Sequence, residues 1–279
     1  MAALLALGGA ACWGVGDFLG GLAARRMAVI AVLAISQAIG LAGLLVWVLA
    51  SREAFPGIGA LLPAAAAGVA GLIGLAALYR GLAVGAMGIV APISAASPVV
   101  GLTADAVRGT FPAALQWLGI ALVLAGIAAL SLESSGSDGG GRRLASGVGL
   151  ALVAALGFGL FVVGLDAGSD ESAEWAVVVA RLVAVCLAVA VALVLSTSLR
   201  PSRGTWPLLV GVGIGDTLAN VLVAIASTRG AVGIVAVLSA TYPIVTVLLA
   251  RVFLDERLTT PKRVGGAIAI AGAVLVAAG

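Results

Sequence analysis

The sequence predicts an all-α integral membrane protein of ten transmembrane helices, folded as two inverted five-helix repeats. Three observations carry that reading. Hydrophobic residues make up 62% of the chain and charged residues 10%, far outside the range of a soluble globular domain. Ten apolar stretches can each supply the roughly 20 residues that a spanning helix needs. One stretch also occurs twice: residues 85–98, GAMGIVAPISAASP, and residues 230–243, GAVGIVAVLSATYP, agree at nine of fourteen positions at an offset of 145.

The ten spans are predicted at 2–24, 28–50, 60–84, 87–107, 113–132, 145–165, 174–196, 206–228, 231–253 and 262–278. Span one carries Trp13-Gly14-Val15-Gly16-Asp17. No basic residue precedes its apolar core and Arg25 and Arg26 follow it, so it reads as a retained helix rather than a secretory signal. At the same offset span one matches span six, with Ala6/Ala151, Leu7/Leu152, Ala10/Ala155 and Gly14/Gly159 identical and Trp13 opposite Phe158. Glycines recur at Gly68/Gly213 and, at an offset of 146, at Gly119/Gly265 and Gly126/Gly272. Small residues let membrane helices approach closely, and 40 glycines imply a tightly packed bundle.

These matches divide the chain into a first five-helix unit, residues 1–132, a polar and glycine-rich linker, residues 133–144, and a second five-helix unit, residues 145–279. Five is odd, so the second unit enters the membrane from the opposite side. Inverted repeats of this kind are characteristic of secondary transporters. The two cysteines, Cys12 and Cys186, fall inside spans and there is no histidine, so no metal site, cofactor or disulfide framework is expected.

Of the fifteen basic residues, eleven lie on the side of the odd-numbered links, three on the side of the even-numbered links, and Arg181 lies within span seven. The positive-inside rule puts the rich side in the cytoplasm and both termini outside.

Charge at membrane depth costs roughly 2.5–3.5 kcal/mol on insertion scales, so each such residue is a functional candidate. Asp216 lies at the middle of span eight with Asn220 one turn on, on the same face. Asp17 lies past the middle of span one. Arg181 either pairs with a carboxylate in a central cavity or snorkels to the headgroups. Trp13, Tyr79, Ser94, Ser97, Ser239 and Tyr242 add aromatic and hydrogen-bonding surface at related places in the two units. Pro98 and Pro243 occupy matching positions in spans four and nine. A proline frees a carbonyl and bends a helix, and paired interruptions in inverted halves point to the cavity. The substrate-binding set is therefore Trp13, Asp17, Tyr79, Ser94, Ser97, Arg181, Asp216, Asn220, Ser239 and Tyr242, with Pro98 and Pro243 as helix kinks.

Assembled in this way, the chain resembles the EamA-type ten-helix members of the drug/metabolite transporter superfamily over its whole length. The resemblance rests on Trp13-Gly14 in the first helix, Arg181 early in the second helix of a unit, Tyr79 near the end of a third helix, the two small-residue runs ending in Pro98 and Pro243, and Asp255-Glu256 in the link to the last helix. The first unit departs from the pattern: Ser36 or Gln37 stands at the arginine position, and the link after span four reads Arg108-Gly109-Thr110-Phe111-Pro112, without an acid. The resemblance implies a multi-pass cell-membrane protein that moves a small metabolite, such as an amino acid or related compound, often outward, by alternating access. It also implies cytoplasmic termini, against the charge count, so the two ends of the bundle are best distinguished by their links, odd or even.

The expected partners are the lipid bilayer, a small-molecule substrate and a proton, with no nucleic acid, in a monomer or weak oligomer. Without histidine a proton-coupled cycle needs a carboxylate, and a lone carboxylic acid taken out of water holds its proton into the neutral range; Asp216 and Asp17 are the central ones. The alternative is an intramembrane aspartyl protease using Asp17 and Asp216, since Gly14-Val15-Gly16-Asp17 and Gly213-Ile214-Gly215-Asp216 both spell Gly-x-Gly-Asp. Against it, such strings come readily in a glycine-rich chain, and the two lie in non-equivalent helices, so no enzyme activity is expected. A channel needs a polar stripe along its pore, whereas these polar groups cluster near mid-membrane. ATP-driven pumping needs a phosphate-binding Gly-Lys-Ser/Thr loop, and the one lysine is Lys262.

Overall fold

The computed structural model describes residues 1–24, 26–84, 94, 96–131, 141–253 and 260–279. Eleven helices lie within them: α1 (Ala2–Ala24), α2 (Val29–Ala50), α3 (Ile58–Val84), α4 (Pro98–Val107), α5 (Ala114–Ser131), α6 (Gly141–Ala167), α7 (Ala173–Val194), α8 (Trp206–Ser227), α9 (Val232–Ser239), α10 (Tyr242–Phe253) and α11 (Thr260–Ala278). The protein is an all-α integral membrane protein, and six of these helices are long and apolar enough to cross a bilayer unaided. Apart from spans four and nine, the helix bounds follow the predicted spans to within a few residues, because in lipid a backbone must satisfy its own polar groups.

Span nine departs from a continuous, kinked helix. It is two helices, α9 and α10, separated at Ala240-Thr241. Pro243 has no N–H to offer the carbonyl one turn back, and the ladder there tightens to three-residue steps, with Thr241 N donating to Leu238 O (3.2 Å) and Ile244 N to Thr241 O (3.0 Å). The Thr241 hydroxyl also donates to Leu238 O at 2.7 Å, an internal partner of the kind a break inside lipid requires. In span four a turn at Ala96-Ser97 precedes Pro98 at the start of α4. Most of the small-residue run before it, residues 85–93 and 95, lies outside the described residues, as do most of the linker, Arg25 and Asp255-Glu256. The side chains of Tyr79 and Pro243 lie outside them too.

Helix packing repeats under exchange of the two halves. The most extensive pairings are α3 with α6 and α1 with α8, which map onto one another, and α5 with α11, which maps onto itself. The pairings of α3 with α7 and α2 with α8 exchange likewise, while α2 with α7 is self-related. Close approaches obey the same symmetry. A Cβ on Gly14 would stand 2.7 Å from the carbonyl oxygen of Tyr242, and one on Gly159 would stand 2.7 Å from that of Ser97. Gly14/Gly159 and Ser97/Tyr242 are repeat partners, so each half seats a first-helix glycine against the other half's interrupted helix. The α5–α11 pair crosses in the same fashion, with Gly119 and Gly272 each facing the other's carbonyl oxygen. The inverted repeat is thus built into the helix contacts, most of which join one half to the other.

Two apolar clusters flank the centre. One gathers Val235, Val237 and Leu238 of α9 with Val223, Ile127 and Val276; the other gathers Leu44, Val48, Leu61 and Val177 of α2, α3 and α7. Large apolar side chains such as Leu4, Trp47, Val194 and Ile214 point outward, as a bilayer requires.

Candidate functional site

Between the halves lies a cavity of about 400 Å³, within the size range of small-molecule sites, about 300–1,000 Å³. Arg181 on α7 is the largest side chain among the described residues to be fully buried, at 2% exposure. A buried guanidinium requires a countercharge, and Asp216 on α8 supplies it: Arg181 Nη2 stands 2.8 Å from Asp216 Oδ2. The other guanidinium end, Nη1, donates to Gln37 Oε1, and Gln37 Nε2 donates back to Asp216 Oδ2 at 2.9 Å. Trp13 Nε1 is shared between Asp216 Oδ1 (3.0 Å) and Asn220 Oδ1 (3.1 Å). One turn separates Asp216 from Asn220, so a single indole N–H meets both. Spans one, two, seven and eight are tied at one point, and Arg181 is a counter-ion rather than a snorkelling residue.

Asp17 is one turn along α1 from Trp13. It lines the cavity and is exposed to it, within electrostatic reach of Asp216. Among the described residues Asp17 has neither a hydrogen-bond donor nor a cation partner. Its approach to Asp216 follows from the crossing of α1 and α8, where a Cβ on Gly16 would lie 3.6 Å from Asp216 N and one on Gly215 3.2 Å from Cys12 O. The structure therefore brings the two aspartates together, although they sit in helices that the repeat does not relate.

The remaining sequence candidates divide. Ser94, Ser97, Ser239 and Tyr242 all line the cavity. The Ser239 hydroxyl is spent on Ala236 O at 3.1 Å, inside its own helix. Tyr242 stands edge-on to Trp13, with ring centroids 6.3 Å apart. Pro98 is buried at the head of α4.

Three polar groups that join the halves were not singled out from sequence. Gln37 bridges Arg181 and Asp216; it stands out only as the single amide in span two, beside the place where the repeat would put an arginine. Asp105, near the end of α4, accepts from the backbone N–H of Val232 (3.2 Å) and Gly233 (2.6 Å) at the start of α9. Arg108 pairs with Asp166 at 2.8 Å. The hydrogen bond that Arg108 Nη1 donates to Asp166 Oδ2 pushes the guanidinium's pKa further above its ordinary range. Both contacts lie at the even-link end and cross between halves.

Helices of the two halves, whose contacts repeat on exchange, thus meet around one central cavity. The family model that matches the chain, over residues 1–132 and 145–278, is the EamA-like transporter family. The chain belongs to that family, and so to the membrane transporters of the drug/metabolite transporter superfamily. Its fold is similar to that of 28 chains of solved structures. One of these, described only as the crystal structure of a protein, is 20% identical in sequence with a TM-score of 0.82, over 98% of this chain and 95% of that one. A comparison with curated protein sequences returns no match.

Proposed function

We propose that the protein is a secondary transporter that carries a small metabolite through the central cavity by alternating access. The observation that supports this most is the placement of the Arg181–Asp216 pair, with its Trp13, Gln37 and Asn220 partners, on the cavity wall where the halves meet. Charge is costly in a membrane, and a buried pair is weak evidence for stability alone; its cost is offset where the pair shapes a binding site. Rocking of one half against the other requires the ties at the even-link end to part. Asp105 at the start of α9 and Arg108–Asp166 are the contacts that such a motion breaks first. Where a proton is coupled to transport, Asp17 is the better carrier, since Asp216 is already engaged by a guanidinium and two N–H donors.

The aspartyl protease reading gains one observation and loses another. Asp17 and Asp216 do share a wall of the cavity, but a catalytic dyad has to share one proton between its carboxylates. Both oxygens of Asp216 are occupied by Trp13, Gln37 and Arg181.

Flux into proteoliposomes tests the proposal, screened across amino acids, nucleotides and organic cations. A saturable flux that Asp216→Ala abolishes is expected. If every compound class stayed outside vesicles that hold folded protein, the transport reading would be wrong.

A further inference from the structure

The repeat makes the two walls of the cavity comparable position by position, and their chemistry differs. Where the second half has Arg181, Asp216 and Asn220, the first has Ser36, Gly71 and Leu75 at the offset of 145. Where α1 has Trp13 and Asp17, α6 has Phe158 and Val162. All ten line the cavity. Ser36 lies on α2 beside Gln37 and belongs to the polar side; the wall formed by α3 and α6 is apolar, with Phe158 and Phe161 seated against Gly74 and Gly71 of α3.

With Asp17 ionised, the charges on the polar wall do not cancel. Among the described lining residues there are two carboxylates and one guanidinium, and the guanidinium is committed: Arg181 is bound to Asp216 and Gln37, and only 2% of its side chain is exposed. An anionic cargo would have to displace Asp216 to reach it. The carboxylate left without a countercharge among the described residues is Asp17, which is exposed and lines the same cavity as Trp13 and Tyr242. A carboxylate with no partner among the described residues and an indole ring held in place by its own N–H bonds together favour a positive group, through charge and through the ring's negative face.

We infer that the cargo is an amphipathic organic cation. Its positive group sits against Asp17 and Trp13, and its apolar body sits against Phe158, Phe161 and Leu75. This assignment rests on the transport reading of the same cavity and names the class of compound carried.

Equilibrium binding to the purified full chain in detergent tests it, through tryptophan fluorescence or melting temperature. The probes are 2-phenylethylamine, the neutral 2-phenylethanol, the anionic 3-phenylpropionate and butylamine, which keeps the charge and lacks the ring. The aromatic amine is expected to bind at least tenfold more tightly than the alcohol, the acid or butylamine. Asp17→Asn should lose that advantage and Asp17→Glu should keep most of it. Should Asp17→Asn fail to fold, the ranking of the four probes on the unaltered protein decides. Binding of the acid as tightly as the amine would overturn the assignment, as would an amine affinity untouched by Asp17→Asn or an absence of amine binding. Flux separates the two claims. Amine binding that depends on Asp17 without any flux would leave the cation site standing and remove the transport reading; saturable flux of the acid alone would do the reverse.

Discussion

The two walls of the cavity differ in chemistry although α1 and α8 of the one match α6 and α3 of the other at an offset of 145. On the wall formed by α1, α2, α7 and α8, almost every polar atom is engaged: Arg181, Gln37, Trp13, Asn220 and Asp216 close on one another. On the wall formed by α3 and α6 the matching positions are glycine, leucine, valine and phenylalanine. What the halves share is backbone: the glycines at which helices cross, and the prolines at which they break. Symmetry in this protein thus belongs to the helix crossings, while asymmetry belongs to the lining of the cavity.

The comparison can be broken most forcefully on the polar wall. Arg181→Leu leaves Asp216 without its cation, and removing one member of a buried pair costs about 3–5 kcal/mol. Part of Asp216 faces the cavity, at 24% exposure, so the lower figure is expected. The double variant Arg181→Leu/Asp216→Leu should recover much of the loss, since an apolar pair leaves no stranded charge, and thermal melting of the two variants side by side measures this. The shared backbone comes next. Gly14→Ala and Gly159→Ala each force a methyl onto the opposite half's broken helix, and overpacking costs about 1–3 kcal/mol. Because the two sites are repeat partners with the same 2.7 Å approach, their melting temperatures should fall by similar amounts, whereas an effect at only one would break the symmetry.

Two smaller effects sharpen the contrast. Trp13→Phe keeps a ring but removes the donor shared by Asp216 and Asn220, and an acceptor left unpaired costs about 1–3 kcal/mol; the loss should sit at the low end because water in the cavity can reach Asp216. The equivalent change on the apolar wall, Phe158→Leu, removes no polar contact and should alter melting by less than Trp13→Phe does. Smallest is Arg108→Gln at the even-link end. Arg108 is half exposed, and exposed pairs are worth about 0–1 kcal/mol, so its effect on melting should vanish in high salt. Its hydrogen bond to Asp166 raises the guanidinium further; any stability linked to it is held at low and neutral pH and lost only at alkaline pH beyond the ordinary arginine range.

The fold was legible because lipid leaves a helix few options. Apolar length fixed the spans, and the offset of 145 between Gly85 and Gly230 exposed the inversion without any structure. Pro243 marked where span nine is interrupted, although the separation into α9 and α10 depends on Thr241 and Ser239 finding partners within their own turns. Asp216 and Arg181 stood out by their cost in a membrane. Their pairing did not, since it depends on how α7 crosses α8. Gln37, Asp105 and Arg108 were overlooked because an amide is cheap in a span and an acid or a base near a helix end is ordinary. What makes them matter is a partner far away in the chain: Asp105 and Gly233 are 128 residues apart, and no periodicity carries that information.

The account turns on Asp17 as the carboxylate that has no partner among the described residues of the cavity wall. Uptake of labelled 2-phenylethylamine into proteoliposomes, compared between the unaltered protein and Asp17→Asn at equal reconstitution, tests it most directly. Saturable uptake that falls at least tenfold in the variant is the predicted result; equal uptake by both proteins would contradict it.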